Sequence, residues 1–307
     1  MLKGFICKVV IMEKKILDFY RGFSVYTNPG PYMNSLKKDV PSDVRKIGEL
    51  VRKSVVHRTT LADGNTGTNA DKKYGDMKKI PWHRQPEDDI LVTASAMLSE
   101  LYRRDKKGFT KNRKEENRLV LTCRFVAVLM SSILKSKGVP CRVRAGHANY
   151  FDEGELGDIS ADHWINQYWN GKRWVTIDVD GSLNLEDKFD AYDMPEGKFD
   201  FPADAWLNVR SGKDDPNRFW NARPERGQIA LLWSLFYDFH CLMNDEIIYA
   251  HIPSIGLYEN FKNLTKNDLK EIDDLAGLMV DPDKNFDKLQ KIWNTNKKFR
   301  LLKGGLL

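Results

Sequence analysis

The sequence predicts an α+β domain in which helices precede and follow a compact block of strands. Three observations predict it. Val126, Leu129, Met130, Ile133 and Leu134 fall on one face at helical spacing. Two β-prone runs after them flank Asn170-Gly171, the strongest short-range signal for a hairpin. Beyond residue 203 the apolar positions return to helical spacing. Helices segregated from antiparallel strands within one chain make an α+β architecture.

The elements follow in order. Pro41-Ser42-Asp43 starts a helix whose apolar positions are Val44, Ile47, Leu50, Val51 and Val55. Residues 59–86 are polar and read as a long loop. A second helix spans Glu87 to Arg104, with Ile90, Leu91, Ala94, Met97, Leu98 and Leu101 as its stripe. Residues 103–118 are a charge run. It reads as a solvated connection, because no interleaved aromatics make it a nucleic-acid groove. The next helix runs from Thr122 to Lys137, where Gly138 and Pro140 stop it. A strand over Arg142 to Tyr150 and the hairpin follow, then an acidic loop over 182–202. Helices at 203–210, 226–242, 266–278 and 283–294 close the chain. The expectation is one domain over 1–307, comprising a helical N-terminal part (1–119), a core (120–181) and a helical C-terminal part (182–307).

Bulk composition narrows the classes. Hydrophobic residues at 41% and charged residues at 30% suit a globular chain, and 307 residues can bury a core without disulfides or structural metals. The net charge of +6 is too small to argue for nucleic acid. Cys7, Cys123, Cys141 and Cys241 form no CxxC pair, which argues against a cysteine-based zinc site. Their sparse spacing suits a reducing compartment. The apolar run in Met1 to Met12 is short and broken by Lys8, unlike a signal peptide. No stretch approaches the roughly 18 apolar residues of a membrane span. The expected location is cytoplasmic, with neither membrane nor nucleic acid as partner. Met12 opens a charged, helix-friendly stretch and is an alternative start. Asp178-Val179-Asp180-Gly181 and Asp281-Pro282-Asp283 lack the Gly and Glu positions of a calcium loop and read as turns. No metal or cofactor is expected. His147 reads as a partly exposed strand histidine, with a second imidazole near the cleft as the alternative, and His240 as structural. Trp206, Trp220 and Trp233 read as core anchors.

Cys123 stands in the first turn of its helix. Unpaired N–H groups and the helix dipole there stabilise a thiolate and can bind a developing oxyanion. Taken alone, such a cysteine is more often a buried structural residue. Cys7, Cys141 and Cys241 are left as structural or incidental. A two-residue turn at Asn170-Gly171 sets Trp169 against Lys172, Gln167 against Trp174, Ile165 against Thr176 and His163 against Asp178. Opposed residues share a sheet face, so a carboxylate could orient the imidazole. Nucleophile, base and orienter would then meet.

These residues resemble the bacterial transglutaminase-like superfamily, whose core order is Cys, His, Asp. The segments that carry the resemblance are Thr122-Cys123-Arg124 with Ala127 and Leu129, then Lys137-Gly138-Val139-Pro140-Cys141-Arg142-Val143. Asp162-His163-Trp164 and Arg173-Trp174-Val175-Thr176-Ile177-Asp178 follow. Asn28-Pro29-Gly30, Ala205-Trp206 and Arg210-Ser211-Gly212 fit the same pattern. Phe125 stands where many relatives have an acidic residue. The glycan-removing branch, with its CxxC zinc site, is disfavoured. The resemblance implies a papain-like fold, a nucleophile helix packed on an antiparallel sheet. In it Cys123 is the nucleophile, His163 the general base and acid, and Asp178 its orienter. Trp164 and Trp206 are the aromatic candidates for substrate contact.

The chemistry expected is acyl transfer on a peptide or glutamine-side-chain amide through a thioester, with water as the preferred acceptor. The Cys123 N–H is one oxyanion donor, and Trp82, Gln85 and Asn117 are candidates for the second. The alternatives are transglutaminase-type amine transfer and a non-catalytic peptide-binding module with the same cleft. A peptide or protein is the expected partner.

Overall fold

The structure is a computed structural model, and it describes residues 14–58, 75–151, 159–185, 187–221, 225–249 and 251–301. Cys7, the alternative start at Met12 and most of the polar loop after residue 58 lie outside the described residues. The chain is a mixture of helices and an antiparallel sheet, as an α+β chain should be. It divides into two compact units.

One unit comprises Tyr20–Val143 and Ile165–Pro195. Its helices are α2 (Met33–Asp39), α3 (Val44–Ser54), α4 (Glu87–Ile90), α5 (Ala94–Arg104) and α6 (Cys123–Ser136), following α1 (residues 14–21), whose last residues enter it. Asp43 starts α3 as expected, its carboxylate accepting from the Lys46 N–H at 2.9 Å. The helix stops at Ser54 because Val55–His57 leaves it as strand β1. This strand pairs in parallel with β2 (Leu119–Leu121), in register Val55↔Leu119, Val56↔Val120 and His57↔Leu121. Val56, Met77, Ile80 and Val120 pack together over this ribbon.

Two expectations for this unit are corrected. The single helix expected over 87–104 is two, because the Thr93 side chain accepts from the Ala96 N–H at 3.2 Å and caps a new helix. Ile90 leaves the apolar stripe and stands 71% exposed. The charge run is also not simply solvated. Arg104 and Arg113 turn inward, Arg104 onto Glu87 and Glu100, and Arg113 onto the carbonyls of Leu101, Gly108 and Asn117.

Helix α6 is the centre of this unit. Every residue from Cys123 to Ser136 is buried, Arg124, Ser131, Ser132 and Lys135 included, so it is covered on all sides rather than on one face. Gly138 takes φ +78°, and the chain then enters β3 (Cys141–Ala148). Asn166 on β4 (Ser160–Trp169) donates its side-chain amide to the Ala127 carbonyl at 2.9 Å, pinning that strand to the helix.

The turn before β5 (Trp174–Ile177) departs from expectation. The register is Trp169↔Trp174, Tyr168↔Val175, Gln167↔Thr176 and Asn166↔Ile177, with a loop over 170–173. A type I′ turn needs positive φ at both central residues. Here Gly171 has φ +95°, while Asn170 is not in the left-handed region. The Asn170 side chain instead accepts from the N–H groups of Lys172 and Arg173, both at 2.9 Å. That shifts the pairing by two residues from the expected register, in which Trp169 faces Lys172 and Gln167 faces Trp174. By the same count Asp178 comes level with Ile165.

The other unit comprises Met1–Phe19, Arg144–Trp164 and Glu196–Leu307. It holds β6 (Phe199–Asp200), β7 (Phe219–Trp220), α7 (Pro202–Arg210) and α8 (Gln228–Leu242). It also contains α9 (Tyr258–Phe261), α10 (Lys266–Met279) and α11 (Phe286–Thr295). The sheet runs β5-β4-β3-β6, with β7 pairing to β4, and strands β3 and β4 pass through both units. Asp238 on the wholly buried α8 takes both guanidinium arms of Arg144 at 2.8 and 2.7 Å. Among the described residues no helix is long and apolar enough to cross a membrane.

Candidate active site at the start of helix α6

The local sequence explains why Cys123 opens a helix. Strand β2 ends at Leu121, and Thr122 keeps extended dihedrals (φ −109°, ψ 176°) as the N-cap. Its carbonyl accepts the first helical bonds, from Phe125 at 3.0 Å and Val126 at 3.2 Å. Cys123 is therefore the first helical residue, where amides have no acceptor within the helix and an anion is favoured. It is 8% exposed. Next to it, Arg124 is fully buried between the rings of Tyr26 and Phe125, at 4.9 and 4.7 Å from their centroids.

The β1–β2 ribbon brings a second functional group to this point. His57 is level with Leu121, two residues before the cysteine, and its ring lies within hydrogen-bonding reach of the Cys123 thiol. Its Nε2 donates to Asp180 Oδ2 at 2.9 Å, and the other oxygen of Asp180 accepts from Arg52 at 2.6 Å. All three side chains are buried. Burial alone would push the His57 pKa down. The charge and hydrogen bond of Asp180, joined by Cys123, outweigh it and raise the value to about 9. This constellation gives a thiol, an imidazole and a carboxylate in sequence, the arrangement that ionises a nucleophile and fixes its partner.

The residues expected from the sequence take the following places. Asp178 is fully buried at the end of β5. Its Oδ1 accepts from the Gly181 N–H at 2.8 Å, and its own N–H donates to Ala191 at 2.8 Å. The carboxylate thus closes the Asp178–Gly181 turn that delivers Asp180. His163 lies on the part of β4 that belongs to the other unit, edge-on to Phe151 with ring centroids 4.7 Å apart and 2% exposed. Trp164 packs against Tyr237 and Tyr249 and is 2% exposed. Trp206 has no exposed surface, and its Nε1 donates to Asp273 at 2.7 Å. Both tryptophans are packing anchors that present no ring face to a substrate. Trp82, one of the oxyanion candidates, is 81% exposed.

His147 is corrected. Rather than being partly exposed, it is fully buried with Phe219 edge-on at 5.2 Å. Burial holds its pKa down to about 3, against the raising effect of Asn221 and with the help of Arg218. His240 is structural as expected, buried with Nδ1 on Asp245 at 3.0 Å.

Sequence reasoning missed His57, Asp180 and Arg52. The signal available was Val55-Val56-His57, a β-prone run directly after a helix, read instead as the helix tail. Nothing local announces its parallel pairing with residues more than sixty positions away.

A cavity of about 740 Å³ lies in the same unit, lined by Arg45, Arg52, Lys53, Arg118 and Tyr192 among others. It shares Arg52 with the constellation but Cys123 does not line it. Set against protein-family models, curated proteins and solved structures, the chain matches none of them.

Proposed function

We propose that the chain is a cysteine-nucleophile acyltransferase acting on amides, with hydrolysis as its net reaction. The observation that carries this reading is the Cys123 thiol at the first residue of α6, within reach of an imidazole that a buried carboxylate holds. A cysteine kept only for packing needs neither the helix terminus nor the imidazole.

The reaction follows from those groups. The Sγ proton passes to an imidazole and Sγ attacks the amide carbonyl carbon. A C–S bond forms while the carbonyl electron pair moves onto oxygen, next to the N–H of Cys123. The C–N bond then breaks, and the leaving amine takes a proton from imidazolium. Water attacks the thioester, the C–S bond breaks, and sulfur regains its proton. One imidazole carries this proton through every step; the resemblance assigns that role to His163, with Asp178 as its orienter. Peptide or glutamine-side-chain amides are the substrate class.

The test is acylation itself. An activated acyl donor such as p-nitrophenyl acetate, acid-quenched within seconds and followed by intact mass spectrometry, should leave one acetyl group on Cys123. Cys123→Ala should carry none. Added primary amine that ends up acetylated would shift the net reaction from hydrolysis to amine transfer. No adduct on Cys123 at any pH between 5 and 9, together with retained peptide binding, would leave a binding module.

A further inference from the structure

The constellation beside Cys123 contains an imidazole that the sequence assignment does not use. We propose that His57 is the group that ionises Cys123: the thiol proton passes to the His57 ring, and Asp180 with Arg52 holds the resulting cation in place. This rests on Cys123 being the nucleophile, and it adds to the site a second imidazole with its own carboxylate.

Placement comes first. The parallel register sets His57 level with Leu121, so its ring reaches the start of α6 without any loop to position it. Nε2 is held by Asp180 at 2.9 Å, and the same ring also hydrogen-bonds the Cys123 thiol. Asp180 is in turn held by Arg52 at 2.6 Å, and the turn carrying it is closed by the Asp178 carboxylate on Gly181 at 2.8 Å. Nothing in this chain is a long, solvated side chain: His57, Asp180, Arg52 and Asp178 are all buried.

The transfer creates its own compensation: Arg52 and Asp180 are already paired, and the cation formed on His57 faces the thiolate formed on Cys123. The titratable groups that act on His57 are Asp180 and Cys123, and both raise its affinity for a proton. The step needs no other reagent: the S–H bond breaks, an N–H bond forms on the ring, and Asp180 stays ionised throughout. As neighbours that titrate as a pair, His57 and Cys123 share one pH profile.

The experiment is iodoacetamide alkylation of Cys123, resolved from the other cysteines by mass spectrometry, as a function of pH in the native protein, His57→Gln and His163→Gln. The native midpoint should lie well below the roughly 8.5 of a free thiol. His57→Gln should move it up towards that value, slowing alkylation at pH 6 about tenfold for each pH unit the midpoint rises. His163→Gln should leave the midpoint where it is. If His57→Gln keeps the native midpoint, the assignment is overturned; if His163→Gln moves it instead, the thiol belongs to His163 and the acyl-transfer function still stands. A native midpoint at the free-thiol value also overturns the assignment, and the thioester adduct reports separately on acyl transfer. Should His57→Gln fail to fold, a titration of 13C-labelled histidine in the native protein decides. One of the six imidazoles should stay charged past pH 8 and lose that property in Cys123→Ser; its absence overturns the assignment.

Discussion

Two buried histidines, His57 and His147, show how little burial alone says about charge. Both lose most of their hydration, yet one is held protonated and the other neutral. The difference is the partner: Asp180 stands 2.9 Å from His57, whereas His147 meets the edge of Phe219 and the cation of Arg218. The same rule governs Arg144, whose guanidinium is 4% exposed and paired in two places with Asp238. Asp238 also accepts from the Ala145 N–H at 3.1 Å. Asp238→Ala would strand a buried cation and an amide. It should lower stability by about 3–5 kcal/mol, read as an earlier urea midpoint. Replacing Arg144 and Asp238 together by apolar residues of similar volume should recover much of that loss, because no charge is then left unpaired.

At the scale of elements, one carboxylate ties three segments together ahead of Cys123. Glu87 opens α4, receives Arg84 and Arg104, and accepts from the Val120 N–H of β2 at 2.9 Å. Strand β2 leads directly into Thr122 and Cys123, so Glu87 fixes the approach to the site from the side opposite β1. Glu87→Gln should therefore speed hydrogen exchange at Val120 by at least ~10-fold, since it weakens charge-assisted bonds worth about 1.5–3 kcal/mol each. It should also slow acylation of Cys123 with little effect on α10. That helix carries its own capping box, Thr265 with Asp268. Thr265→Ala gives the reverse pattern, a local loss of about 1 kcal/mol in α10 with Cys123 reactivity unchanged.

The whole molecule feels the two histidines as opposing pH limbs. The pKa of His57 is raised to about 9 in the folded chain against 6.5 for the free side chain. Its proton is the one Cys123 gives up, so folding takes up no net proton at this pair between about pH 6.5 and 8.5, and its stabilisation falls only as pH rises from there through 9. The pKa of His147 is depressed to about 3, so its contribution is present above pH 6.5 and lost as pH falls towards 3. The melting temperature should be highest and level between about pH 6.5 and 8.5 and fall on both sides. His57→Gln should flatten the alkaline limb and His147→Leu the acid one. An alkaline limb unchanged in His57→Gln would show that other groups dominate it.

Much of the fold was written in local sequence. The helix from Cys123, its stop at Gly138, the strand after it and the helices beyond residue 202 are set by apolar spacing, capping residues and chain-breakers, all short-range signals. Cys123 as a helix-start thiol was legible for the same reason. Pairing was not. The Asn170 side chain capping its own turn, rather than Asn170 entering the left-handed region, moved the β4–β5 register by two residues. The parallel union of β1 with β2, and the turn that carries Asp180 to Arg52 and His57, join segments 64 and 128 positions apart. Such contacts depend on which buried charges and strand edges find compensation in the folded chain, a balance that tertiary packing alone decides. The sequence by itself determined that a cysteine opens a helix beside a sheet; only the tertiary structure decided that His57 and Asp180 stand next to it.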